Sequence, residues 1–171
     1  MTSTIPHLVN RLVVDTDDTF DDLRRRFESL VPTIDFAELT AQIESGDVAR
    51  VQRYTAEHAP HSFVTFWTFD PTPMMQLVGH CTRAITYMMG NSVIAETMYR
   101  HHPGVMLYAP LRTEIYEDAE GAVHLSIDQP STKFASFGDP HIAEVGVQLD
   151  FKLAALLRLL GLLVPVELEH M

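Results

Sequence analysis

Three side chains in the second half of the chain have types and spacing that could do chemistry. Arg112 and Glu114 stand two residues apart in LRTEIYE, and His124 follows in AVHLSI. Residues two apart in a strand share a face, so Arg112 and Glu114 project together. A guanidinium can hold a carboxylate or phosphate at two points, and a Glu–His couple is an ordinary general acid and base. Glu114 and His124 are therefore the candidate catalytic residues. Arg112, Tyr108, Tyr116 and Arg83 are candidate ligand-binding residues around them. Alternation puts Met106, Tyr108, Pro110 and Tyr116 on the same face, giving the polar groups apolar walls. The same residues also suit the wet side of a half-covered sheet, where Glu–His and Arg–Ser pairs merely stabilise the strands.

Histidine supplies a second kind of chemistry, with nine in the chain. His80 is the candidate metal or haem ligand, because Cys81 adjoins it and Met74, Met75, Met88 and Met89 are near in sequence. Methionine also serves as plastic core filler. His58 and His61 flank Pro60 in EHAPH, and that proline prevents the i, i+4 geometry of a zincin-type pair. His101 and His102 close an expected helix, where the negative dipole end favours a cation. Cys81 is the only cysteine, which excludes an intrachain disulfide and a four-cysteine zinc site. Its strand-like surroundings suggest a small core residue. The chain has no phosphate-cradling glycine loop and no nucleophile elbow, so a nucleotide cofactor has no motif, whereas haem or a metal ion stays open.

The elements that must position these residues belong to one compact unit. A length of 171 residues, 46% hydrophobic and 20% charged, fits a single globular domain spanning 1–171. A formal net charge of −11 argues against nucleic acid as a partner. The N-terminal stretch has no basic region ahead of an apolar one, and Leu153 to Val166 is too short to span a bilayer. With one cysteine, these features point to a cytoplasmic protein without a membrane partner.

Along the chain, His7 to Val14 reads as a strand, with helix-cap candidates in Asp15-Thr16-Asp17. Phe20, Leu23, Phe27, Leu30 and Val31 recur at helical spacing up to Pro32. Strand and helix, 7–32, belong to the same sheet and core as the rest. A second helix fits Asp35 to Gly46, and RVQRYTAEHAPHS reads as irregular. SFVTFWTFD alternates, setting Phe63, Thr65, Trp67 and Phe69 against Val64, Phe66 and Thr68. PTPMM reads as a connector, and QLVGHCTRAITYMM as one strand or two broken near Gly79. Asn91 or Ser92 caps a short helix that Pro103-Gly104 closes. VMLYAPLRTEIYE and AVHLSI form a hairpin, and a long, buried helix ends the chain. Pairing Tyr116 with Ala122 places Ile115 opposite Val123, Thr113 opposite Leu125 and Leu111 opposite Ile127, an apolar face. That register puts Glu114 opposite His124 and Arg112 opposite Ser126.

The stretch from Tyr87 to Glu117 resembles the bacterial and archaeal family known as domain of unknown function 302. Gly90-Asn91, the helical Ile94-Ala95, Pro103, Leu107 and Pro110 carry the likeness. Looser similarity in element order covers about residues 60–160. The resemblance implies an α+β, TATA-binding-protein-like fold, β-α-β(4)-α with an antiparallel sheet packed by helices and an extra short helix before the hairpin. It also implies a dimer without an agreed activity. Many members have cysteines where this chain has Gly90 and Leu111, so thiolate chemistry cannot be carried over, and Ser92 replaces a usual proline. Residues before 60 show no counterpart. Asn91, in the turn of the motif, joins the ligand-binding candidates.

Three functions follow in order. The first is a homodimeric binding protein for a small molecule in a partly apolar pocket. The second is an enzyme acting on a small acidic metabolite through Glu114 and His124. The third is a haem or metal protein using histidine.

Overall fold

The structure is a computed structural model that describes residues 2–169. It is an α+β fold built on one five-stranded sheet of order β1-β5-β4-β3-β2, in which every neighbouring pair is antiparallel. Strand β1, Arg11–Thr16, buries Leu12 and Val14 and exposes Arg11, Val13 and Asp15. Helix α1, Phe20–Leu30, follows. Its cap is Thr19, which accepts from the Asp22 amide, so the cap lies beyond the expected Asp15–Asp17 cluster. Phe20, Leu23 and Phe27 of α1 pack into the core.

Helices α2, Phe36–Glu44, and α3, Val48–His58, form a pair over the β2 edge. The segment expected to be irregular is thus helical. Asp47 caps α3 by accepting from the Arg50 amide, while Tyr54 and Thr55 are its only buried residues. Its apolar stripe is narrow because it lies on a small satellite core of Ile34, Leu39, Tyr54, Ala59 and Val64, and so few buried positions leave a weak periodic signal.

Strand β2, Val64–Phe69, lies on the sheet edge opposite β1. A bulge between Thr65 and Trp67 ends the simple alternation. Phe63, Val64 and Thr65 are all buried, whereas Trp67 and Phe69 are exposed. The residues expected to be a connector and then a strand instead form α4, Thr72–Leu77, and a loop to residue 83. Asp70 accepts from the Thr72 amide, which starts that helix. Strand β3 is only Ala84–Gly90. Helix α5, Ser92–Tyr99, is the extra short helix, and a 3-10 turn at Pro103–Leu107 follows it.

Strands β4, Leu111–Glu117, and β5, Val123–Asp128, make the expected hairpin with a different register. Tyr116 pairs with His124, Glu114 with Ser126 and Thr113 with Ile127. The offset from expectation is two residues. Its cause is a wider loop, in which the Asp118 amide donates to the Ala122 carbonyl and the Asp118 carboxylate accepts from the amides of Glu120 and Ala122. An even offset preserves the faces, so Leu111, Thr113, Ile115, Val123, Leu125 and Ile127 still share the buried side. After α6, Pro130–Phe134, the closing helix α7, Pro140–Leu159, covers that side together with α1. Among the described residues, no helix that contributes to the main core lies on the other side of the sheet. No helix among the described residues is long and apolar enough to cross a membrane.

One core position is chemically mismatched. Thr113 is fully buried, and its hydroxyl has no hydrogen-bond partner. An unpaired buried hydroxyl costs about 1–3 kcal/mol. Thr113→Val should therefore raise stability by about 1 kcal/mol, read as a higher urea midpoint at unchanged slope.

Candidate functional site

The uncovered face of the sheet holds four of the residues singled out from sequence, Arg112, Glu114, Tyr116 and His124. Across its middle run Val13, Ser126, Glu114, Thr86 and Phe69 on successive strands. Beside that row, Trp67, Met88 and Arg112 are neighbours, and on its other side are Asp15, His124, Tyr116 and Ala84. Arg112 and Glu114 do share this face. Arg112 is exposed, while Glu114 is half-buried and accepts from the Thr86 hydroxyl at 2.5 Å. Burial pushes the Glu114 carboxyl up despite that bond and the nearby charge of Arg112.

His124 is not Glu114's partner. The two-residue register offset seats it beside Tyr116, with ring centroids 5.0 Å apart. Its Nδ1 meets Asp15 at 2.8 Å and its Nε2 meets Asp118 at 3.0 Å. Both carboxylates can accept, so the arrangement favours the ring with both nitrogens protonated, the imidazolium. Asp118 foremost, and Asp15 with it, raise the His124 pKa. The residue pins β1 and the hairpin loop to β5.

Arg83 is similarly committed. Its Nε and Nη2 donate to Glu117 Oε1 at 3.1 and 2.7 Å, its Nη1 donates to Asp21, and its guanidinium lies over the Phe20 ring. Tyr108 is not on this face at all. The 3-10 turn breaks the alternation on which Met106, Tyr108 and Pro110 were placed, and Tyr108 packs against Phe134 and Phe137 with its hydroxyl on His7.

His80, His58 and His61 lie apart from one another. His80 and Cys81 are both exposed in the loop before β3, which corrects the expectation of a core cysteine. His80 shares a shallow cleft with Met75. His58 stacks on Tyr54 and bonds the Tyr54 carbonyl, and His61 edges a cleft beside Lys152.

On the helix-covered side, where β3 ends and β4 begins, a cavity of about 300 Å³ opens, and sequence reasoning did not locate it there. Phe63, Met98, Leu111, Phe134 and Leu149 are among its walls, and Gly90, Asn91, Ala95, Met106 and Pro110 also line it. Of the expected ligand residues, Asn91 alone lines this cavity. Its side chain caps α5 by accepting from the Val93 and Ile94 amides, and it donates to the Ser62 carbonyl. Both ends of the amide are thereby engaged, and the lining is almost wholly apolar. The signal that could have found it was the Gly90-Asn91 and Pro110 motif itself, whose two halves meet at this spot.

The His124 pin generates a pH prediction. A raised folded-state pKa means the stabilisation is fully present below the unfolded value of about 6.5 and is lost as pH rises through the folded value. His124→Gln should destabilise by less than about 1 kcal/mol, because Asp15 is well exposed. Urea titrations at pH 5.5 and pH 9 should show the gap from the unsubstituted protein shrinking at the higher pH.

Comparison with known proteins agrees with this architecture. No curated protein matches the sequence. A crystal structure titled as an uncharacterized conserved protein DUF302 from Bacillus stearothermophilus superposes with a TM-score of 0.63 at 16% identity, covering 87% of this chain and 96% of that one. At that identity the likeness speaks for the fold. The family described as domain of unknown function DUF302 matches residues 41–160, so the likeness begins earlier than residue 60 and takes in α3 and the EHAPHS segment. With about two-thirds of its length matched, and both halves of the motif meeting at one cavity, the chain belongs to the DUF302 family.

Proposed function

We propose that this protein binds a small, predominantly apolar molecule in the cavity between α5, the start of β4, α6 and α7. The cavity itself carries the reading. Its volume lies at the lower end of the range for small-molecule sites, and an apolar cavity of about 150 Å³ already takes up benzene. The amide of Asn91 is spent on the α5 cap and the Ser62 carbonyl, so a ligand there gains little from hydrogen bonding. A substituted aromatic ring or a short branched alkyl group suits such a lining. General acid/base chemistry at Glu114 and His124 draws less support. The imidazole is held between Asp15 and Asp118, and Arg112 and Glu114 lie on the opposite side of the sheet from the cavity.

Filling the space tests the reading. Ala95, on the cavity-facing side of α5, is only partly buried and has room before it. Ala95→Leu should weaken uptake of small aromatic probes, followed by ligand-observed NMR, by tenfold or more. Stability should hold or rise by about 0.5–2 kcal/mol, as cavity filling typically gives. Equal probe binding by the filled variant would remove the cavity as the site.

The homodimer belongs to the same proposal. Trp67 and Phe69 stack at 5.5 Å on the uncovered face, are 53% and 43% exposed, and adjoin Met88. A contiguous apolar patch of this kind suits a second copy related by a two-fold axis. Light scattering should give a dimer mass that falls to the monomer value in Trp67→Arg, and a monomer mass for the unsubstituted chain would remove this part.

A further inference from the structure

Where α5 ends and α7 begins, two histidines and an aspartate converge, and none of them takes part in the cavity. His101 follows the last turn of α5, and Asp139 and His141 open α7. Among the described residues this is the set of three metal-capable side chains whose ligand atoms lie within 4.8 Å of one another. His101 Nδ1 is 3.9 Å from Asp139 Oδ2, and His141 Nδ1 is 3.4 Å from Asp139 Oδ1. The two imidazole rings lie face to face, with centroids 4.5 Å apart and planes 6° from parallel. We infer that His101, Asp139 and His141 form a binding site for a divalent transition-metal ion of the zinc class, which joins the end of α5 to the start of α7.

The donor set decides the class of ion. Two imidazoles and one carboxylate suit zinc, nickel or copper, whereas calcium and magnesium take oxygen ligands almost alone. Three protein ligands leave a coordination position for water. Asp139 is prepared for the role by its own cap. Its Oδ1 accepts from the amides of His141 and Ile142, which fixes the carboxylate and leaves Oδ2 turned toward His101. Donor atoms around a tetrahedral zinc ion lie about 3.3 Å apart, so the widest separation here must close by at most roughly 1.5 Å. His141 is two-thirds exposed, and to ligate it must also tilt out of the parallel stack so that its ring plane meets the ion. The positive pole of α7 opposes a cation, but the Asp139 charge and the carbonyl end of α5 offset it.

Such an ion would also matter for the fold. Helix α5 supplies Ile94, Ala95 and Met98 to the cavity wall and α7 supplies Leu149, so a clamp between them stiffens the cavity from outside. A ligand that binds only the folded state raises its melting temperature.

The test uses the full chain, stripped with a chelator and titrated with Co²⁺ by visible absorption and with Zn²⁺ by calorimetry. One saturable equivalent is expected, together with a higher melting temperature in Zn²⁺. His141→Ala changes an exposed side chain, and Asp139→Asn keeps a residue equally good at capping, so both should fold. Each should weaken uptake at least tenfold, while His58→Ala, distant from the cluster, should leave it unchanged. In the unsubstituted protein, Zn²⁺ should shift the ring resonances of His101 and His141 together, a readout that needs no variant. Absence of saturable uptake, uptake indifferent to both substitutions, or loss only in His58→Ala would overturn the inference. Probe binding in the cavity by the metal-free protein separates this outcome from that of the proposed function.

Discussion

A buried carboxylate sets where the chain can go after its last strand. Asp150 of α7 is 4% exposed and has no cation beside it. It is satisfied instead by the Gln129 amide at 2.8 Å, the Ser131 amide at 2.9 Å and the Ser131 hydroxyl at 2.5 Å. The same Gln129 exchanges bonds with Asn10 ahead of β1 and donates to the Glu167 carbonyl near the C-terminus. One polar knot thus ties the start of β1, the end of β5, α6, α7 and the last turn together. Leaving a buried charge short of partners is costly, so the knot forms completely or α7 does not dock. Gly146, one turn earlier, makes the docking close. A Cβ there would sit 3.0 Å from Ser131 Cα and 3.1 Å from Phe134 Cβ. Phe134, held in place by this contact, is a wall of the cavity.

The second constraint is parity. Strand side chains alternate, and on β4 every odd position from Leu111 to Ile115 is buried while Arg112 and Glu114 face away. Chemistry on the even positions and a pocket on the odd ones cannot share a wall within one subunit. This is why the polar constellation and the cavity part company although Arg112 follows Leu111 directly. The even side keeps a working arrangement of its own, in which His124 lies between two aspartates, while on the helix-covered side Arg83, between Glu117 and Asp21, fastens the sheet's rim to α1.

Much of this was legible in the sequence, and the rest was not for physical reasons. The α1 stripe, the hairpin faces, the α5 cap and the long final helix all came from periodicity and capping chemistry, which are local signals. The family likeness supplied the order of elements. Register was legible only modulo two, because the faces constrain parity whereas the Asp118 loop fixes the count. Helices α3 and α4 were missed because few of their residues are buried: Tyr54 and Thr55 in one, Thr72 in the other. The Phe66 bulge, which separates a buried half of β2 from an exposed half, leaves no trace in an aromatic run that alternates throughout. The burial of Asp150 leaves no local signal, since its partners lie 19 and 21 residues away.

The cavity sits where the two halves of the family motif meet, at Gly90 and Leu111. Both residues line the cavity, and the strand pairing sets Leu111 beside Met89, next to Gly90. A Cβ on Gly90 would lie 3.4 Å from the Phe66 ring and 3.5 Å from Pro110, in contact without a clash. Glycine is therefore not demanded by the backbone at this point, and its effect is to leave space. Leu111, 4% exposed, adds an apolar wall. With glycine and leucine at these two positions, the meeting point of the motif is lined by apolar groups. The histidine and carboxylate groups capable of holding an ion lie outside, where α5 meets α7.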